Sequence, residues 1–391
     1  CSASTTSLIR VSCANTIICT HTCCKPFKTT KQMYNPATFQ MFRSLISFFG
    51  LVFFFLLLSC SDQKTAEHSK KENLCQHSQY LRIYNYQAGY KVEILDPDQQ
   101  RKLHVFEIQK PYARIAVLSA THVGMLSALG QQEKICAISN AKYLLDPRVK
   151  RLLQLKRIVD LQTELGFSAE KLLQRKAQVV VYSGFGNESQ QLKRLPAHML
   201  KIANFEWREK TPLARAEWVL LFGALCGQFA EAQQLFEDIQ ANYIRIQKEV
   251  QQNNHSNQLP ILLSGNLYGD QWIAPAGQSF EAHLYKDAGL AYLFSKEEGT
   301  GSVFKSLAEI LRKGPAVCIW LNPGLPSRKA ILKQYPKAQF FPFFKKPIYC
   351  YTSNTNKYWE QAAVHPDWLL SDLSRIASGQ TKKLHFYALL K

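Results

Sequence analysis

The chain is short of acid. Its 391 residues carry 48 lysines and arginines against 29 aspartates and glutamates, a formal net charge of +19. Such a surplus favours anionic partners, among them nucleic acid, anionic lipid and acidic ligands. Here the basic residues are scattered rather than clustered. A solvated basic surface is the plainer reading, and no nucleic-acid interface is expected. The signatures of covalent chemistry are missing too. The sequence has no G-x-S-x-G elbow, no H-E-x-x-H pair and no Walker A glycine–lysine loop. Gly184-Phe185-Gly186 is followed by no third glycine at the spacing a dinucleotide fold needs. The ten histidines never pair at ligand spacing, so no metal site and no enzyme activity is expected.

Residues 1–59 contain no acidic residue at all. The first 40 lack an initiating methionine and hold Cys1, Cys13, Cys19, Cys23 and Cys24; Cys19, His21, Cys23 and Cys24 have no second ligand knuckle to make a zinc site. Residues 1–40 read as upstream translation, with Met41 as the start. Arg43 then precedes an apolar run over residues 45–58. That run is too short for a comfortable membrane span and suits a signal-peptide core, so residues 41–59 are taken as one. Removing residues 1–59 leaves 43 basic and 29 acidic residues, a net +14. The later cysteines Cys136, Cys226 and Cys318 sit in apolar runs, where cysteine acts as a small hydrophobe, and no disulfide framework is indicated.

Residues 60–80 are polar and read as a flexible tether. Residues 91–95 and 102–108 alternate around Asp96-Pro97-Asp98, which predicts a β-hairpin. From Pro111 onward short apolar strands alternate with helices: strands over 114–118, 134–138 and 178–182, helices over 121–129 and 168–176. The pattern restarts after residue 252, with strands over 259–263, 291–294 and 317–321 and helices over 279–288 and 306–313. Continuous apolar strands between helices mean parallel sheet covered on both faces. The expected fold is therefore α/β. An N-terminal lobe over residues 81–229 and a C-terminal lobe over residues 253–391 are each built on a mostly parallel sheet.

Between them lies one long amphipathic helix. Leu235, Ile239, Tyr243, Ile246 and Val250 fall on one face, so residues 230–252 are read as a strut, of which residues 230–251 alone would span roughly 33 Å at ~1.5 Å per residue. A more apolar helix over 213–225, stopped by Gly227, precedes it. Ser168-Ala169-Glu170-Lys171-Leu172-Leu173 is echoed by Ser306-Leu307-Ala308-Glu309-Ile310-Leu311, one copy in each lobe.

Several of these stretches carry a resemblance. Leu57-Leu58-Ser59-Cys60 resembles the lipobox of bacterial lipoproteins. Ala113-Arg114-Ile115-Ala116-Val117-Leu118-Ser119 with Thr121-His122, the Ser168 unit, Pro212-Leu213-Ala214-Arg215-Ala216-Glu217-Trp218 with the strut, and His365-Pro366-Asp367-Trp368-Leu369-Leu370 resemble, in that order, the helical-backbone periplasmic binding proteins of ABC importers for ferric siderophores, haem and cobalamin. The likeness runs over roughly residues 80–391. It departs at Gln178, where many members have Pro-Asp before the strand, and at Ala377-Ser378-Gly379, which replaces a common His-Pro-Glu ending. The resemblance implies a lipid-anchored protein of the bacterial cell envelope, facing the periplasm and held in the membrane through Cys60. Its partners would be a permease with ATPase subunits. Its ligand would be an iron chelate, with cobalamin as the alternative, and it would carry no cofactor of its own. Glu170 and Glu309 match the acidic residues with which the family docks on permease arginines. Their placement in helix first turns is also what dipoles and capping favour. A lipoprotein hydrolase or a surface interaction protein is the reading left if the resemblance fails.

Ligands of open α/β sheets bind beyond the carboxyl ends of the strands. The candidate ligand-binding residues are therefore Thr121, His122, Tyr182, Phe185, Trp207, Arg208, Tyr268, Trp272 and Trp359. The aromatics would stack on a planar or catecholate ligand and Arg208 would pair with an anionic one. Core packing is the competing reading for each aromatic.

Overall fold

The computed structural model describes residues 72–164, 166–185, 189–253, 258–351, 356–380 and 382–391. The expected leader, signal segment, Cys60 and the first part of the tether lie outside them.

The chain enters on an antiparallel sheet of β1 (Leu81–Tyr86), β2 (Gly89–Leu95) and β3 (Lys102–Ile108). The hairpin read from the sequence is β2–β3, and Asp96 closes its turn by accepting from the amides of Asp98 and Gln99. β1 begins just past the expected tether and was missed because only Leu81 and Ile83 of its six residues are buried. Residues 73–80 ahead of it are pinned, which corrects that expectation. The Glu217 carboxylate accepts the amides of Gln76, His77 and Ser78 at 2.6–2.9 Å, while Glu209 accepts from Gln79, Tyr80 and the Ser78 hydroxyl.

The N-terminal lobe follows as β4 (Ile115–Val117), α1 (Ala120–Ala128), β5 (Ile135–Ile138), α2 (Pro147–Gln154), β6 (Val159–Asp160), the small hairpin β7 (Gln162–Thr163) and β8 (Gly166–Phe167), α3 (Ala169–Gln174), β9 (Val179–Ser183), α4 (Gln190–Lys193) and β10 (Leu200–Asn204). Its five main strands pair in parallel in the order β10-β9-β4-β5-β6, and β4, β5 and the first half of β9 are fully buried, as continuous apolar strands require. Gln178, the departure noted above, has a local job: its side-chain oxygen accepts the amides of Ala113 and Arg114, tying the start of β9 to β4.

The helix expected over 213–225 is two, α5 (Pro212–Ala216) and α6 (Val219–Cys226), because the chain turns at Glu217-Trp218. Glu217 faces the pinned segment, and the Trp218 indole donates to Glu209 at 2.9 Å. α6 is buried on every side and ends at Gly227 in the left-handed conformation. α7 (Phe229–Asn253) is the strut. Phe229, Ala232, Phe236 and Ile239 enter the N-terminal core and Tyr243 the C-terminal one, so a single apolar stripe serves both lobes.

The C-terminal lobe runs through β11 (Ile261–Ser264), β12 (Asn266–Tyr268), β13 (Gln271–Pro275), α8 (Phe280–Asp287), β14 (Ala291–Tyr292), β15 (Ser302–Ser306), α9 (Leu307–Lys313), β16 (Ile319–Leu321), α10 (Arg328–Gln334), β17 (Ile348–Tyr351), α11 (Tyr358–Gln361), α12 (Pro366–Ala377) and β18 (Tyr387–Leu389). Its main sheet has the order β14-β11-β16-β17-β18, parallel except for β18. The strut is not the only link between the lobes. Around α11 the chain crosses back: Ala362 packs in the C-terminal core and its neighbours Ala363 and Val364 in the N-terminal one. The Glu360 carboxylate accepts the amides of Leu145 and Asp146 at 2.8 and 3.0 Å, and Lys357 reaches Asp146. Cys318, expected in the core, is exposed; Cys75, Cys136, Cys226 and Cys350 are buried, and all five are free thiols.

Candidate functional site

Four of the predicted residues meet at the lobe interface, and each arrives there for a local reason. The Ser119 hydroxyl caps α1 by accepting the Thr121 amide, which sets Thr121 at the mouth of the first turn. β9 ends at Ser183-Gly184. A Cβ on Gly184 would lie 2.2 Å from the Phe205 ring, so only glycine lets the chain pass and throw Phe185 outward. Phe185 stacks on Trp207, from the short 3₁₀ turn after β10, at 4.4 Å between ring centroids. Across from them Tyr351, at the end of β17, lies flat on Tyr358 at 3.6 Å, with Trp359 edge-on to both.

Between these aromatic walls is a cleft of about 710 Å³, within the range of small-molecule sites. Its floor comes from α5 and α8. Thr211 caps α5, with Pro212 in its first turn, and this presents Arg215 to the cleft. Arg215 forms a close ion pair with buried Glu206, and its guanidinium lies 4.3 Å from the centroid of Phe280. Glu281 follows on α8, behind the Ser279 cap. Burial raises the Glu281 carboxyl while Arg215 pulls it down, and burial also holds the phenols of Tyr285, Tyr351 and Tyr358 in their neutral form. Two buried polar atoms of lining residues, Trp207 Nε1 and Asn322 Oδ1, have no partner.

Five predicted residues are elsewhere. His122 is one position from Thr121 on α1, and that step turns it fully into the core beside Phe222. Burial drives its imidazole down to about 3, so it is neutral. Trp272 is also fully buried. β13 alternates, and its indole donates to the Ser264 carbonyl at 2.9 Å among Trp320 and Phe343. Tyr182 packs between the two clusters of the N-terminal lobe. Arg208 bonds Asp98 at 2.7 Å, outside the lining set. Tyr268 stands at the tip of the β12–β13 hairpin, 73% exposed and away from the cleft.

Sequence reasoning missed Arg215, Glu281, Phe280, Tyr351 and Tyr358. A lone arginine within the apolar residues 213–225 was the available signal for the first. The two tyrosines are brought together by a loop and left no periodic trace.

Glu170 and Glu309 lie apart from the cleft. Ser168 caps the amide of Lys171 and Ser306 that of Glu309, so the two copies are in register at their caps but their glutamates are offset by one residue. With the caps aligned, Glu170 faces Ala308 and Glu309 faces Lys171. Glu170 is exposed, whereas Glu309 bonds Lys313 at 2.8 Å, which lowers its carboxyl.

Among known proteins, the family model described as periplasmic binding protein matches residues 115–346. An uncharacterized lipoprotein of Methanocaldococcus jannaschii is 22% identical over 299 residues, which is 72% of this chain and 69% of that one. Of solved structures, a periplasmic binding protein from Veillonella parvula superposes with a TM-score of 0.56 at 12% identity, covering 72% of this chain and 96% of the other. A periplasmic haem-binding protein from Pseudomonas aeruginosa does so at 0.55 and 16%, covering 71% and 98%. With a family model over more than half its length and the two-lobed architecture of these structures, the chain belongs to the periplasmic binding protein family.

Proposed function

We propose that this protein captures a metal chelate, a ferric siderophore or haem, in the cleft between its lobes and delivers it to the permease of an ABC importer. A corrinoid such as cobalamin is the second ligand class. The observation that carries this reading is the 710 Å³ cleft faced on both sides by aromatic rings, with Phe185 and Trp207 against Tyr351, Tyr358 and Trp359. Such rings bury large planar ligands with little loss of side-chain freedom. Anchoring through an acylated Cys60 on the periplasmic face, and docking through Glu170 and Glu309, belong to the same reading. The lipoprotein relative supports the first and the first-turn exposure of Glu170 the second.

Native mass spectrometry and visible absorption of the protein purified from its own cells test the proposal. A retained iron chelate or corrinoid is expected, and titration of the stripped protein should quench the fluorescence of Trp207 and Trp359. Purified protein that neither carries nor rebinds any chelate would sink it.

A further inference from the structure

The chain is strongly basic, but its cleft is not. Arg215 is the only lysine or arginine among the described lining residues, and it is already committed to Glu206. Its side chain is 16% exposed and that of Glu206 4%, so the pair is a desolvated unit rather than a free cation. Glu281 adds a second carboxylate to the same floor. The remaining described lining is aromatic, aliphatic, hydroxyl, amide and one thiol, none of it cationic. Arg208, the one cation that sequence reasoning offered to an anionic ligand, is held by Asp98 outside the cleft.

We infer that the ligand is a neutral or cationic chelate, of the ferric trihydroxamate or corrinoid class, and not a polyanion such as a ferric tricatecholate or haem with its two propionates. This rests on the chelate reading above and narrows it. A buried anion has to be matched by cations or by charged hydrogen-bond donors, because desolvation otherwise exceeds what stacking returns. A trianion here would meet one arginine whose charge Glu206 cancels, beside a further carboxylic group. The carboxyl of Glu281 suits donors on the ligand instead.

Quenching titrations with five probes decide the matter: a cationic and a neutral ferric trihydroxamate, cyanocobalamin, haem and a trianionic ferric tricatecholate. At least one neutral or cationic probe should bind about tenfold or more tighter than both anions, a difference of ~1.4 kcal/mol. Glu281→Gln, verified as folded by its melting curve, should narrow that gap by raising the affinity for the anions. An anion binding tightest overturns the charge assignment and leaves the chelate reading standing. Binding of none of the five overturns both. An unchanged gap in a folded Glu281→Gln removes Glu281 from the selectivity.

Discussion

Gly124 sits where α1 crosses the segment around Glu360, and a Cβ there would lie 1.5 Å from the Glu360 carbonyl oxygen. Neither partner can yield, since both are backbone. Gly124→Ala should therefore cost at least about 3 kcal/mol and lower the melting temperature by roughly 5 °C or more. Gly130→Ala is the control: it has a left-handed backbone but nothing within 4 Å, so about 1 kcal/mol is expected. A second residue-scale test uses His122. Its folded pKa of about 3 is below the unfolded 6.5, so the unfolded chain binds the extra proton between those values. Stability is lost as pH falls through that window, at up to about 1.4 kcal/mol per unit. His122→Leu should flatten the acid side of a melting-temperature profile, and coincident slopes for both proteins would refute the assignment. The comparison subtracts other groups, among them Glu209, which burial raises to about 7 and which acts in the opposite sense. Residue identity was legible only where backbone direction was. Thr121, Phe185 and Trp207 follow strand ends that any parallel sheet points at its ligand. His122 and Trp272 were misplaced because one step along a helix or strand changes face, and sequence does not fix which of two adjacent polar-tipped residues looks outward.

At the scale of elements the periodic signals held. The strut, the buried strands and the β2–β3 hairpin each carry a repeat that burial imposes. What periodicity could not show were elements made by distant partners. α5 and α6 separate at Glu217 because residues 76–78 bring their amides to it, a contact across about 140 positions. The two first-turn glutamates are the elements' other lesson. Offset by one residue relative to their caps, they differ in surroundings, Glu170 exposed and Glu309 paired with Lys313. If both dock on permease arginines, Glu170→Arg and Glu309→Arg each abolish uptake per folded, ligand-competent molecule. If they serve only their helices, each change costs about 0.5–2 kcal/mol and uptake falls only with the amount of folded protein. Uptake assays normalised to folded protein separate the outcomes, and acidic residues placed on the permease face should rescue the docking case.

For the molecule as a whole, the strut contains no proline or glycine at which to bend. The crossing at α11 adds a second tie, with Ala362 in one core and Ala363 in the other. Large closure movements normally rely on a few free loop residues. Scattering curves with and without ligand should nearly superimpose; a change equivalent to tens of degrees of lobe rotation would contradict this. Anchoring is the other whole-molecule expectation. Cys60→Ala should release the protein from membranes, since acyl chains contribute about 0.8 kcal/mol per buried CH₂. The Glu360 contact also gives the molecule an internal clock. The amides of Leu145 and Asp146 are in the N-terminal lobe, yet the oxygens that shield them come from the segment that returns from the other. Those two protons can exchange with solvent only when that segment lifts away, so their exchange times count the openings of the lobe interface, with no label attached and no ligand added.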